Sequence, residues 1–445
     1  MPKSIHLLSL IFVGLILSQG ATSGYAQEDA AATPLAPPSS AAQKLYAAAQ
    51  EDLLQVRVLV KNGHTQASVG SGFFVGESDL VVTNYHVISQ IALQPTVYVG
   101  EFVDTKGLRG DIQLLALDVL HDLAILRVNR KGKGFFRIPS ESKQLVNLSQ
   151  GQYLYSLGNP LDLGFAISEG AYNGIISRAF YDQYLFTGPI NAGMSGGPNI
   201  TANGNLAGVN VAKRTDGELV SFLVPARFVV ELLEQVKRHP NGSKDFSEEV
   251  GRQLIEHQSK MVDHILETAL TQKHLGSYFV PVRESEQMRC WGRADNQSGL
   301  SYSVDKMNCA MESAVFISDK LHTGHVAISH NFFQAHNVSS LRFSRLISNQ
   351  FKSEIIGGKE TANLTRLHCV EDFTKNTSSD MRAVICVRAY RRFAGLYDFT
   401  LITSSLDQSK EVLQSRLDTR GVSYENGMRL IRNFIKSIHR AAGEK

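Results

Sequence analysis

Residues 187–198 read "TGPINAGMSGGP", with four glycines and one serine in twelve positions. A Gly-Ser cluster by itself marks a loop. Ser195 is more than a loop residue only if the chain supplies what a serine nucleophile needs. The hydroxyl is weakly nucleophilic at neutral pH, so a base must take its proton and an acid must orient that base. Two backbone N–H groups must also converge where an oxyanion forms. The glycines suit that last task. Gly193 lets the chain turn so that its own N–H and that of Ser195 aim at one spot, while Gly196 and Gly197 allow close backbone approach.

The base and the acid are found in two β-like settings. "LVVTNYHVI" (80–88) supplies His86 after a strand-like run, with a short helical turn expected to start just before it. "LHDLAILRV" (120–128) supplies Asp122 at the head of another β run. An Asp there can accept the ring N–H of a histidine and fix its tautomer. His86, Asp122 and Ser195 are therefore the candidate catalytic residues, with the Gly193 and Ser195 N–H groups as the candidate oxyanion hole.

The surrounding texture agrees. From about Leu53 the chain runs through short strand-like segments such as "VRVLV", "LVVTN", "QYLYSLG" and "LVSFLVP", separated by Gly, Asn, Asp and Pro. Such spacing predicts a sandwich or barrel. "ARFVVELLEQVKR" (226–238) predicts an amphipathic helix that closes the region, broken by "HPNGSKD". Residues 246–272 predict a longer helix, with Val250, Leu254, Met261, Ile265 and Ala269 on one stripe and Val262, Leu266 and Leu270 beside it. The stripe is read as a connector packed on its neighbour, with a short coiled coil for assembly as the rival.

Taken in order, "GSGFFV", "LVVTNYHVI", "HDLAILRV", "LGNPLDLGFAISEG", "GPINAGMSGGPNITANGNLAGVNVA" and "FLVPA" resemble the trypsin-like protease domain of HtrA/Deg-type exported serine proteases. The resemblance covers about residues 53–238. It implies two six-stranded β-barrels with the site in the cleft between them, His86 as general base, Asp122 as its orienting acid and Ser195 as nucleophile. It implies polypeptide substrates and no cofactor or metal. Two departures stand out. Met194 replaces the Asn usual before the nucleophile, and it cannot pair with a freshly cut N-terminus as the Asp of digestive relatives does. Downstream, no carboxylate-binding Gly-loop with the strand and helix of a PDZ domain is read.

In trypsin-like folds the residues leading into the nucleophile and a later strand line the primary pocket. Here they are "TGPINAG" (187–193) and "VSFLVP" (220–225), which nominate Ile190, Ser221, Phe222 and Leu223 as pocket residues. A pocket for Lys or Arg needs a buried carboxylate. Neither segment has one, so cleavage after Ala, Val or Leu is expected. Asp216 and Glu218 lie in "KRTDGEL", a turn expected to face water.

The 445-residue chain is 43% apolar and 20% charged, with net charge +3, a balance that gives no reason to expect a nucleic-acid partner, which normally demands a concentrated basic face. One Lys precedes an eleven-residue apolar run, Leu7–Leu17, and Gly24 and Ala26 fit cleavage after Ala26. That run is shorter than the ~20 residues a membrane span requires. The reading is an exported protein, periplasmic or secreted, with no stable membrane anchor once the leader is cut. Export makes disulfides available to the four cysteines, all in the C-terminal part. Neighbour pairing gives Cys290–Cys309 and Cys369–Cys386, although three connectivities are open.

The expected order is a leader (1–26), a flexible tether (27–50), the mainly β protease domain (51–240), a helical connector (241–275) and an α+β domain (276–445). "YENGMRLIRNFIKSIHRAA" (424–442) predicts a final helix capped by Ser423, with Lys436, His439 and Arg440 complementing its C-terminal dipole. His322, His325 and His330 lack the ligand set of a metal site. "IIGGKET" (355–361) departs from a phosphate loop at both ends. "RAYRR" (388–392) reads as a solvated strand face. A glycan on the sequon Asn199-Ile-Thr201 would crowd the cleft. The function read is an exported serine endopeptidase, with a protein-binding or chaperone-like module on a silent protease fold as alternative. A homo-oligomer is compatible with either.

Overall fold

A computed structural model describes residues 39–138, 147–176, 178–213, 219–243, 246–267, 269–295, 301–354, 360–375, 379–406 and 409–441. The leader (1–26), most of the tether, Asp216, Glu218 and residues 355–359 of "IIGGKET" lie outside them. Residues 40–445 form one compact unit.

Alternating apolar positions build the first barrel. β1 (Leu53–Val60), β2 (Gln66–Phe74), β3 (Leu80–Thr83), β4 (Tyr98–Asp104), β5 (Arg109–Asp118) and β6 (Leu123–Val128) close in the order β1-β2-β3-β6-β5-β4. In β4 the pattern is plain: Phe102 is buried while Glu101 and Val103 are only partly so. The second barrel closes as β10-β11-β12-β9-β8-β7. Its strands are β7 (Tyr153–Gly158), β8 (Ala166–Ile175), β9 (Tyr184–Phe186), β10 (Pro198–Thr201), β11 (Leu206–Lys213) and β12 (Ser221–Pro225). Full closure removes the exposed edges of open sheets.

Three helices frame the barrels. α1 (Ser40–Ala49) occupies the end of the stretch expected to be a flexible tether, a difference the residues explain. Ala is the best helix former, and Ala42, Leu45 and Ala49 bury one face. α2 (Tyr85–Leu93) lies on barrel 1 and starts just before His86. α3 (Ala226–Arg238) spans the helix expected at 226–238 and shares one apolar cluster with α1 and strands of both barrels.

α4 (Ser247–Glu267) is shorter than the pattern at 246–272 suggested, and Ala269 and Leu270 fall beyond it. The chain turns instead into β13 (Thr271–Leu275), which pairs with β14 (Tyr278–Val282). The α4 stripe is spent inside the chain. Val250 and Leu254 join the core of barrel 1, while Met261, Val262 and Ile265 join the C-terminal core.

The C-terminal region is built on seven antiparallel strands in the order β15-β16-β19-β23-β22-β21-β20. They are β15 (Met288–Asp295), β16 (Tyr302–Met311), β19 (His325–Ala335), β20 (His368–Lys375), β21 (Asp380–Ala389), β22 (Tyr397–Ser405) and β23 (Glu411–Val422), with a small hairpin of β17 (Val315–Ser318) and β18 (Leu321–Thr323) apart from the sheet. α5 (Ser340–Glu354) packs on one face, and α4 and α6 (Tyr424–Lys436) on the other. Phe332 and Phe333 accordingly enter different clusters, as successive strand residues must. Disulfides join Cys290 to Cys309 and Cys369 to Cys386, each tying an edge strand to its inner neighbour. Ser423 caps α6 by accepting the Asn426 N–H at 3.2 Å. His439 and Arg440 leave the helix and pair with β14 as β24 (His439–Arg440), so only Lys436 of the three basic residues sits in its last turn.

"RAYRR" is only partly a solvated strand face. Arg391 and Arg392 are exposed beyond the end of β21, and Arg392 reaches the Leu93 carbonyl at the end of α2. Arg388 pairs with Asp398 at 2.8 Å and Tyr390 is buried with its hydroxyl on the same carboxylate, since a buried Asp398 needs such partners. His330 is fully buried between Ser415 and the Pro281 carbonyl, and His325 meets the Met311 carbonyl.

Candidate active site

Asp122 reaches its position through local backbone chemistry. It heads β6 with φ of +55°, a left-handed conformation that Asp adopts more readily than most residues. Its carbonyl accepts the Asn84 side-chain N–H at 2.8 Å and the Tyr85 N–H at 3.2 Å, which fixes the start of α2. Its carboxylate then takes two bonds from His86, the backbone N–H to Oδ1 at 2.8 Å and the Nδ1 side of the ring to Oδ2 at 2.7 Å. The arrangement occupies Nδ1 of His86 and leaves Nε2 without a partner among the described residues. The side chains are 30% and 19% exposed.

Burial disfavours the imidazolium, but the charge and hydrogen bond of Asp122, helped by Asp319, outweigh it. His86 is thus held above the ordinary histidine value of 6.5.

Ser195 sits in a turn clamped from both barrels. Its carbonyl accepts the Ser71 N–H at 2.8 Å, and the Gly196 N–H donates to the Asn210 carbonyl at 2.9 Å. Asn210 is fully buried and ties the turn to the strands of barrel 2 through Ser156 and the Leu157 carbonyl. A side chain at Gly196 would strike the Ser71 carbonyl, Thr83 and the Asn84 N–H, so the serine turn lies directly against the residues that lead into His86. Ser71 Oγ donates to the Gly193 carbonyl at 2.7 Å and accepts the Asn159 N–H at 2.9 Å.

Gly193 has φ of +90°, and any Cβ there would collide with the Asn159 carbonyl. Only glycine satisfies both conditions. Among the described residues the Gly193 and Ser195 N–H groups have no acceptor, as an oxyanion hole requires. Ser195 Oγ donates to the Val211 carbonyl at 2.7 Å, and no hydrogen bond joins it to His86.

Residues 70–209 match the family described as the trypsin-like peptidase domain. Over that stretch the chain is similar to a trypsin-like peptidase domain. A "Probable periplasmic serine endoprotease DegP-like" of Bartonella henselae is 33% identical over 175 residues, 38% of this chain and 33% of that protein. One of Rhizobium meliloti with the same description is 31% identical over 174 residues, again 38% and 33%. A serine endoprotease structure from Yersinia pestis aligns at 22% identity over 45% of this chain and 68% of that one, with a TM-score of 0.37. The chain spans about a third of the length of the curated relatives it matches.

The residues nominated for the primary pocket are placed unevenly. Ile190 and Leu223 are buried together with Met194, Phe186 and Leu154 in one apolar cluster. Ser221 is buried and donates to the Gly188 carbonyl, while Phe222 is half-buried. Asn199, whose sequon raised the prospect of a glycan at the cleft, is fully buried in β10 between β7 and β11. An oligosaccharide cannot be attached there in the folded domain. Sequence reasoning quoted Ser71, Asn159 and Asn210 inside motifs but gave them no task. It missed Phe316 and Asp319 altogether, since nothing local links them to His86.

Proposed function

We propose that the chain is an exported serine endopeptidase that cuts peptide bonds through His86, Asp122 and Ser195. The observation that carries this reading is the doubly bonded His86–Asp122 pair set against a serine turn with two unspent N–H groups. The proton of Ser195 passes to Nε2 of His86 as Oγ attacks the peptide carbonyl. Gly193 and Ser195 N–H groups hold the oxyanion. The imidazolium gives its proton to the departing amine, leaving an acyl-enzyme, and a water activated by the same imidazole releases the acid. The role that fits an exported enzyme of this kind is envelope protein quality control or processing, in the periplasm, as a monomer or a homo-oligomer. The domain limits proposed are 51–240 for the peptidase, 241–275 for the connector and 276–445 for the α+β region.

Ser195 must first leave Val211. That bond favours a second reading, a protein-binding module on a peptidase fold whose serine is parked. Covalent labelling by a fluorophosphonate separates the two. Label on the intact chain and none on Ser195→Ala is expected; an unlabelled intact chain excludes hydrolysis. For specificity, the absence of any carboxylate from 187–193 and 220–225, together with Ile190, Phe222 and Leu223, supports cleavage after Ala, Val or Leu. Paired peptides differing only in Val or Arg before the cut test it, and preference for Arg rejects it.

A further inference from the structure

The C-terminal region lays its small hairpin on the helix that carries His86. β17 and β18 pair antiparallel, Val315 with Thr323 and Phe316 with His322, around a tip that includes Asp319 and Lys320. Ile317 is fully buried, and its carbonyl accepts the hydroxyl of Tyr85 at 2.9 Å, a bond between residues 232 apart in sequence. Tyr85 is itself fully buried and immediately precedes His86. Phe316 is half-buried on the other side of the strand. Its ring stands edge-on to Tyr85 at 6.3 Å, to the His86 imidazole at 6.0 Å and to His322 at 5.3 Å. One strand of the C-terminal region thus holds both the root and the ring of the candidate base.

We propose that this hairpin is part of the hydrolytic site, Ile317 anchoring the residue before His86 and Phe316 fixing the plane of the His86 ring. The inference rests on the reading of His86 as general base and adds positioning residues to it. Charge is needed at this spot because His86 is cationic once it has taken the Ser195 proton. A carboxylate beyond Asp122 favours that state, and an apolar ring edge keeps the imidazole from turning off line. The groups around His86 leave few other sources of such a field. α2 carries no further charged side chain. The turn before β6 brings Asp122, with His121 and Asp118 paired to each other behind it. The hairpin brings Asp319, Lys320 and His322. Arg392, from the loop after β21, acts on Tyr85. Of these, Asp122 and Asp319 raise the affinity of His86 for its proton.

The test follows the His86 imidazole by NMR across pH in the full chain, in Asp319→Asn and in Phe316→Leu, beside the pH dependence of fluorophosphonate labelling. Asp319 is exposed, and Leu at position 316 keeps an apolar side chain against the core on which the half-buried Phe316 packs. Asp319→Asn should move the His86 titration, and the acid limb of labelling with it, to lower pH. Phe316→Leu should lower the plateau labelling rate by about tenfold, the scale of loss that small misalignments of reacting groups produce. An unmoved titration in Asp319→Asn overturns the role of Asp319, and an unchanged plateau in Phe316→Leu overturns that of Phe316. A titration that moves in a chain that never labels removes hydrolysis but keeps the hold of the hairpin on His86.

Discussion

Ser195 Oγ donates to the Val211 carbonyl, so the proposed turnover would begin with a rotation between staggered positions of one side chain. The bond given up is worth about 1 kcal/mol net, a small barrier beside that of peptide hydrolysis. Ser195→Ala and His86→Ala should each lower kcat by about 10⁴–10⁶, since groups acting as a unit fail together. Undiminished hydrolysis by pure Ser195→Ala protein is the result that contradicts this. Only neutral His86 can accept the serine proton, and its affinity for a proton is raised. The acid limb of kcat/KM should therefore lie above pH 6.5, read from a rate profile at saturating and limiting peptide. Gly193→Ala should cost about 10²–10³ in kcat with KM less affected, because the left-handed turn and the Asn159 carbonyl both expel a Cβ and swing the N–H away. These residues could be read early because their chemistry demands a histidine, an acid and a glycine-flanked serine in fixed local settings. Phe316 and Asp319 could not, since their task arises only after folding brings them to His86.

Among the elements, α3 and the Ser423 cap were legible from periodicity and a capping residue, both local signals. The end of α4 was not. The competing pairing of β13 with β14 stops the helix, and pairing partners leave no mark on an apolar stripe. "RAYRR" misled in part for the same reason: Arg388 looks solvated until Asp398 is found across the next strand. The seven-stranded sheet has two open edges, β15 and β20, with Trp291 on one and Val370 and Phe373 exposed on the other. Each disulfide fastens one of those edges, closing a loop with a sequence separation of 19 or 17. On the chain-entropy account each bridge contributes about 3 kcal/mol. Reduction should therefore raise hydrogen exchange first in β15 and β20 and leave barrel 2 protected. Equal exchange in reduced and oxidised protein at both edges would refute this.

Across the whole molecule, burial pushes His257 and His330 down to about 4, so both stay neutral in the folded chain where an unfolded chain would protonate near 6.5. Between those values the unfolded state binds more protons, and stability must fall as pH falls from about 6.5 toward 4. At about 1.4 kcal/mol per unit, each site accounts for roughly 3 kcal/mol of that loss. Urea midpoints at pH 7 and pH 5 should differ clearly, and His330→Gln should flatten the difference; a midpoint indifferent to pH would contradict the assignment. The core of barrel 1 also holds a lesson about time. Its apolar cluster runs without a break from Leu54 and Phe102 through Val250 and Ile317 to Leu364, Phe393 and Leu396. A growing chain emerges from its amino end, so the cluster around barrel 1 is complete only with residues made some 270 positions after the barrel's own last strand begins. The proposed cleft would then gain its full support only after residues 364–396 have been made. A chain ended at residue 240 should accordingly be digested rapidly by an added protease, whereas full-length protein resists.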